Sequence, residues 1–108
     1  MTAQAEIEEL LAVAEDADDA LRGAVQRLAA EPEISWAGVA FAEDGELTLG
    51  PSAGVEDEQR RQRTPIVFQG TLVGELWTDG DADDTFLASV ANLLAAHVLI
   101  GWDTGGES

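Results

Sequence analysis

Few residues in this chain could do chemistry, and their spacing excludes most reactions. There is no cysteine, so disulfides, thiolate metal sites and thiol catalysis are ruled out. Gly50-Pro51-Ser52-Ala53-Gly54 matches G-x-S-x-G, the strand-to-helix turn that lifts a nucleophilic serine in some hydrolases. Such a serine needs a histidine and an acid to activate it, and the single histidine, His97, follows it in suitable chain order. Here, however, the motif follows a hairpin strand in a chain of 108 residues, too short for that hydrolase fold, and a flexible turn is expected instead. His97 lies on the apolar stripe of the last helix and reads as a packed, hydrogen-bonded residue. Asp79, Asp81 and Asp83 imitate alternate positions of a calcium loop, but Asp84 stands where glycine is required and Val90 where glutamate is. Helix capping explains these aspartates better. No catalytic residue, no metal and no cofactor are expected, and the chain is not expected to be an enzyme.

Two other groups could bind rather than react. Arg60, Arg61 and Arg63 hold three of the five positive charges within four residues. One reading is a contact for an anion or an acidic partner. The other is an edge strand protected by charge and paired to Glu56, Asp57 and Glu58. The second group is aromatic. Alternation puts Trp36, Gly38 and Ala40 on one face of a first strand, and Val73, Glu75 and Trp77 on one face of a fourth. Should those strands be neighbours, Trp36, Gly38, Ala40, Val73 and Trp77 line an apolar groove for a ligand. The alternative is that both rings simply pack under Ala53 and Val55.

The elements that carry these residues follow from hydrophobic periodicity. Residues 3 to 30 read as helix, with Ile7, Leu10, Leu11, Ala14, Ala17, Leu21, Ala24, Val25 and Leu28 on one stripe. The acidic run from Glu15 to Asp19 marks a break or bend that would make this two helices, and Pro32 ends the segment. A strand from Ser35 to Phe41, the turn Glu43-Asp44-Gly45 and a strand from Glu46 to Leu49 form a hairpin. Gly50 to Glu58 reads as a connection. Strands from about Arg61 to Phe68 and from Thr71 to Thr78 follow, joined at Gln69-Gly70. Asp79 to Asp83 reads as a polar loop offering Asp81 or Asp83 as the cap of a last helix, which carries Phe86, Leu87, Val90, Leu93, Leu94, His97 and Val98 and ends near Gly101. Residues 104 to 108 are expected to be a disordered tail. The whole is one domain, residues 1 to 108, of α+β class: two hairpins form a four-stranded antiparallel sheet, with the N- and C-terminal helices on one face.

Composition narrows the partners. The chain carries 22 Asp and Glu against 5 basic residues, a net charge of −17, and all five are arginine. That field repels nucleic acid and anionic membranes, so neither is expected as a partner. The acidity fits a basic partner, a halophilic chain adapted to high salt, or selection for solubility. The N-terminus lacks the features of a signal peptide, and the longest apolar stretch, Val90 to Trp102, is too short to span a bilayer. A cytoplasmic protein is expected.

At this point the residues resemble a known family. Thr64-Pro65-Ile66-Val67-Phe68-Gln69-Gly70-Thr71-Leu72-Val73-Gly74-Glu75-Leu76 looks like the late hairpin of GAF domains, an apolar "VPI" strand, a turn with glycine, then "VGxL". Trp36-Ala37-Gly38-Val39 and Glu46-Leu47-Thr48-Leu49-Gly50 are similar to the first GAF hairpin, most like the branch of the free methionine sulfoxide reductases. The resemblance covers about residues 20 to 100. It implies sheet order 2-1-4-3, an arrangement that profilin-like and roadblock-like scaffolds approach. It also places a ligand pocket on the tryptophan face. The chain departs from the family by lacking several dozen residues that build the pocket's wall and lid, and by lacking the reductases' cysteines. The function expected is therefore a non-catalytic signalling and interaction module that works by homodimerisation or by binding a protein partner. The alternative is a sensor of a small metabolite on the tryptophan face. Terminal helices of GAF domains commonly pair between protomers, which makes Ile7, Leu11, Leu21, Leu28, Leu94 and Val98 the candidate dimer residues. The seven-residue recurrence of Ile7, Ala14, Leu21 and Leu28 suits such a seam.

Overall fold

The structure is a computed structural model that describes residues 3–43 and 45–106, with side chains from 4 to 43 and from 45 to 98. Two helices, α1 (Ala3–Val13) and α2 (Ala17–Ala29), precede strands β1 (Ile34–Glu43) and β2 (Glu46–Gly54). A short 3-10 turn, Glu58–Arg60, leads into β3 (Arg61–Phe68), β4 (Thr71–Gly80) and α3 (Asp84–Gly106). The acidic run does split the first helical segment. Asp16 takes an extended conformation and its carboxylate accepts the Asp19 amide at 2.8 Å, capping α2. Asp18 and Asp19 then lie in the first turn and Arg27 in the last, each on the side the helix dipole favours. Arg27 also bonds Glu6 of α1 and, at 2.8 Å, Glu31, tying the two helices together.

The four strands form one antiparallel sheet in the order β2-β1-β4-β3. Both hairpins use turns that need positive φ: Gly45 at 81°, and Gln69 and Gly70 at 50° and 82°. One face of the sheet carries the helices. There, cross-strand rows such as Val39–Leu76 and Phe41–Gly74–Ile66 meet Leu21, Val25 and Leu28 of α2 and Leu87, Val90, Leu94 and Val98 of α3. Gly74 is glycine because a Cβ there would lie 2.2 Å from the Ala40 carbonyl and 3.2 Å from Val98.

Four expectations change. β2 does not stop at Leu49 but runs to Gly54, so Gly50 to Gly54 is strand rather than flexible turn. Its pairing with β1 shifts between Gly38 and Ala40, and the bulge at Gly50 and Pro51 lets glycine and proline into a strand. β4 reaches Gly80, so Asp79 belongs to the sheet and not to a loop. α3 runs past Gly101 and takes in 104 to 106 of the expected tail, while 107 and 108 lie outside the described residues. Finally, Ile7, Leu21, Leu28, Leu94 and Val98 are all fully buried in the chain's own core, with Leu11 packed against it. The helical stripes therefore serve the monomer, and of these six side chains only Leu11 keeps part of its surface outside the core. Among the described residues, no helix is long and apolar enough to cross a membrane.

The two edge strands each hold a proline, Pro51 in β2 and Pro65 in β3. Proline is tolerated at an edge, where its missing N–H leaves no ladder bond unmade.

Candidate functional site

The face of the sheet opposite the helices is where the register collects the residues singled out above. Its side chains fall in cross-strand rows. The first is Gly54–Trp36–Asp79–Arg61, the second Ser52–Gly38–Trp77–Arg63, and the third Leu49–Ala40–Glu75–Pro65. Strands β1 and β4 are neighbours, so Trp36 and Trp77 do share a face, one row apart.

What fills the space between them is charge. The Trp36 ring lies down over Gly38, with ring carbons 2.7 to 3.0 Å from where a Cβ would stand. The guanidinium of Arg61 covers it, 4.4 Å from the Trp36 centroid and 5.6 Å from that of Trp77. Arg61 in turn grips Asp79 with two bonds, Nε to Oδ1 at 2.7 Å and Nη2 to Oδ2 at 2.9 Å. The Asp57 amide donates to the same Oδ2 at 2.6 Å, which pins the connection between β2 and β3. That connection, residues 55 to 60, must cross three strand spacings, roughly 14 Å, well within its extended reach. Asp79 is fully buried. Burial alone pushes its carboxyl up, but the hydrogen bonds from Arg61 and from the Asp57 amide outweigh it and hold the group below the ordinary aspartate value.

Residue by residue, the expected groove is largely closed. Trp36 is 3% exposed, Gly38 and Ala40 are buried, and Val73 joins the helix-side core near the shift in β3–β4 register. Trp77 is half-exposed, with its indole N–H donating to Glu75 at 2.8 Å. Val55 is 77% exposed and covers neither ring; Arg61 is the cover. Among the arginines, Arg60 pairs with Asp81 at 2.6 Å and with Asp57 at 4.0 Å, and Arg61 reaches Glu56 and Glu58 besides Asp79. The charge-protected edge strand thus has its expected acidic neighbours, but the strongest partner is Asp79, which residue spacing alone did not bring in. The signal was available: Asp79 alternates with Trp77 on β4 as Arg61 does with Arg63 on β3. Arg63 is exposed, stacked 4.6 Å over Trp77, and has no ion pair among the described residues.

The other candidates are dispersed. Asp83 accepts the Phe86 amide at 3.2 Å and caps α3, while Asp79 and Asp81 each serve an arginine. Among the described residues, no cluster of His, Cys, Asp or Glu could hold a metal ion. Ser52 opposes Gly38 on the open face, whereas His97 belongs to α3 on the other. A separate cleft of about 670 Å³ lies between α2 and the β2 bulge, lined among others by Leu21, Gln26, Phe41 and Pro51. Its two charged residues, Asp18 and Arg22, bond each other at 2.5 Å.

No family model matches the chain, and no curated protein matches it in sequence. Solved structures do match in shape. The GAF domain of a phosphoenolpyruvate-protein phosphotransferase from Coxiella burnetii superposes with a TM-score of 0.77 at 17% identity, covering 96% of this chain and 95% of that one. The corresponding GAF domain from Acinetobacter gives 0.76 at 11%, with the same coverage. A free methionine-R-sulfoxide reductase from Neisseria meningitidis gives 0.72 at 15%, covering 94% of this chain and 89% of that one. These neighbours include reductases as well as GAF domains, and at such identity they carry shape alone. Together with the strand order and the helices on one face, they show that this chain has the fold of a GAF domain.

Proposed function

We propose that the chain is a non-catalytic signalling module of the GAF fold that acts by protein contact through the open face of its sheet. One observation carries this reading. Leu49, Val67 and Leu72 are 43%, 43% and 48% exposed, and the register puts all three on that face, Leu49 across from Ala40, and Val67 and Leu72 opposite each other near the second hairpin turn. Clustered exposed apolar side chains mark contact surfaces. Absence of catalysis is supported by the lack of cysteine, by the separation of Ser52 from His97, and by Asp79 being committed to Arg61.

The sensor reading keeps only Trp77 of its five residues at the surface, and a thermal panel separates the two. A ligand at a hundredfold its dissociation constant adds ~2.7 kcal/mol, roughly 10 to 20 °C for a domain of this size. Tryptophan-monitored melting against nucleotides and common metabolites is expected to show no such shift. A shift of that size, lost in Trp77→Ala, would transfer the function to the sensor reading.

Self-association is a second arm of the proposal. With the helical stripes buried, it falls to the flank of α1, where Val13 is 78% exposed and Leu11 half-buried. Two copies of charge −17 repel each other unless salt shortens the screening length to ~3 Å, near 1 M. Light scattering is expected to show a dimer in high salt that Val13→Lys dissociates. A monomer in both low and high salt removes this arm and leaves the sheet face untouched.

A further inference from the structure

We propose that Trp36, Trp77 and Asp79 form a binding site selective for an alkylguanidinium cation, which the chain fills with its own Arg61. The site uses none of Leu49, Val67 and Leu72, so it goes beyond the protein-contact reading, and either can fail alone.

The walls come from segments other than the one that carries Arg61. Trp36 stands on β1, Trp77 and Asp79 on β4, and the Asp57 amide on the connection that crosses the sheet end. Each wall has its own support. The Trp36 ring rests over Gly38, where any Cβ would strike it. The Asp57 amide fixes one oxygen of Asp79 at 2.6 Å, and the Ser35 hydroxyl donates to the Asp79 carbonyl at 3.2 Å. The Trp77 indole N–H is held by Glu75. The connection is fastened at its start by the Val55 amide, which donates to the Ser35 carbonyl at 2.8 Å, and near its end by the pairing of Arg60 with Asp81. Shortening Arg61 to alanine therefore removes the occupant and leaves these ties in place.

The contacts are those of a planar cation with two parallel donors. The guanidinium lies 4.4 Å from the Trp36 centroid and 5.6 Å from that of Trp77. Its Nε and Nη2 meet the two oxygens of Asp79 side by side. An ammonium is a compact, strongly hydrated point charge, with neither the flat face nor the fork. A neutral planar amide could stack, but it would leave the buried Asp79 carboxylate without a counter-charge. Glu56 and Glu58 approach the outer nitrogens at 3.5 and 3.7 Å, yet both are exposed, so solvent weakens their pull. Selectivity thus rests on Trp36 and Asp79, a ring and a carboxylate that are both buried. In the wild type Arg61 is tethered beside them and competes at high effective concentration, which keeps free cations out.

The test uses the full chain with Arg61→Ala and N-ethylguanidinium, which carries the atoms that this substitution removes beyond Cβ. Unfolding followed by tryptophan fluorescence at constant ionic strength should show a saturable rise in melting temperature. At about ten times the half-saturating concentration the rise should be about 5 °C or more. Ethylammonium should need about tenfold more for the same rise, and neutral ethylurea should give none. In the ¹⁵N-labelled variant, the Asp57 amide should move back toward its wild-type position as the cation binds. Wild type, and the variant combining Arg61→Ala with Asp79→Asn, should show no rise. Arg61→Lys keeps the charge without the fork and should recover less than half of the stability lost in Arg61→Ala. Should Arg61→Ala alone not fold, recovery of the folded signal on adding ethylguanidinium is the same readout, and a chain that stays unfolded overturns the proposal. Ethylammonium or ethylurea acting as well as ethylguanidinium would also overturn it. So would an equal rise in wild type or in the combined variant, or an Arg61→Lys protein that recovers more than half of the loss.

Discussion

Asp79→Ala lowers the unfolding free energy by about 3–5 kcal/mol, the loss expected when one member of a buried ion pair is removed. Three bonds go at once: both from Arg61 and the one from the Asp57 amide. Arg61, 13% exposed, is left over the Trp36 ring without its main counter-charge, and the connection across the sheet end loses its anchor. The reverse change, Arg61→Ala, strands a fully buried carboxylate and uncovers Trp36, so it costs at least as much. Because both changes break the same contacts, the double variant loses less than the sum of the two, which denaturant melts of the three proteins would measure. The effect depends on pH with a definite sign. The folded-state pKa of Asp79 lies below the unfolded value, so its stabilisation is complete above the ordinary aspartate range. It fades as pH falls through the depressed folded value. The gap between wild type and Asp79→Asn is therefore widest at neutral pH and closes in acid. A gap independent of pH would show that the carboxylate is not held as its charged form.

Gly80→Ala is the second large effect, about 2–4 kcal/mol. Gly80 has φ 142°, a conformation that side chains resist, and a Cβ there would lie 1.9 Å from the Glu33 carbonyl. That carbonyl accepts the Asp81 amide at 2.9 Å, and the pairing of β1 with β4 shifts just beside it. An alanine must therefore push the start of β1 away and break the bond that launches the chain toward α3. For a domain of this size the loss amounts to roughly 10–20 °C in melting temperature. Gly70→Ala is the useful comparison: it also has positive φ, but nothing lies within 4 Å of its Cβ position. Its cost is conformational alone, about 1 kcal/mol. Equal losses at the two positions would mean that crowding at Gly80 is relieved elsewhere.

The parts of this fold legible in the residues were those set by local chemistry. The break before α2 shows in the acidic run that supplies its cap, both hairpin turns in their glycines, and the faces of β1 and of β4 from Gly74 onward in alternation, whereas the register shift carries Val73 to the other face. The family resemblance supplied the strand order. What escaped was decided by pairing between distant segments. Gly50-Pro51-Ser52-Ala53-Gly54 has the composition of a turn, yet it is an edge strand, because a bulge at Gly50 and Pro51 absorbs its irregularity and β1 supplies its partner. Asp79 sits among acidic residues that read as loop, yet it is a buried strand residue because Arg61 opposes it. The tryptophan face was correctly located, though not its depth. Two rings and small neighbours left an apolar groove and a packed-away pair equally open, and the cation that covers Trp36 lies on a strand whose register had not been assigned. The helical stripes were read correctly as apolar, but periodicity does not say whether a stripe meets its own sheet or another copy.

The prolines at the two rims of the sheet bear on how this protein behaves when crowded. A four-stranded open sheet ordinarily offers free backbone at both sides, and strands from neighbouring molecules can add there and propagate as cross-β fibrils. Here neither rim presents an uninterrupted run of amides: Pro51 and the bulge interrupt one, Pro65 the other. Copies forced together have no lateral template on which to grow. The negative charge governs how closely two molecules approach, whereas the prolines govern whether a contact, once made, can recruit a third.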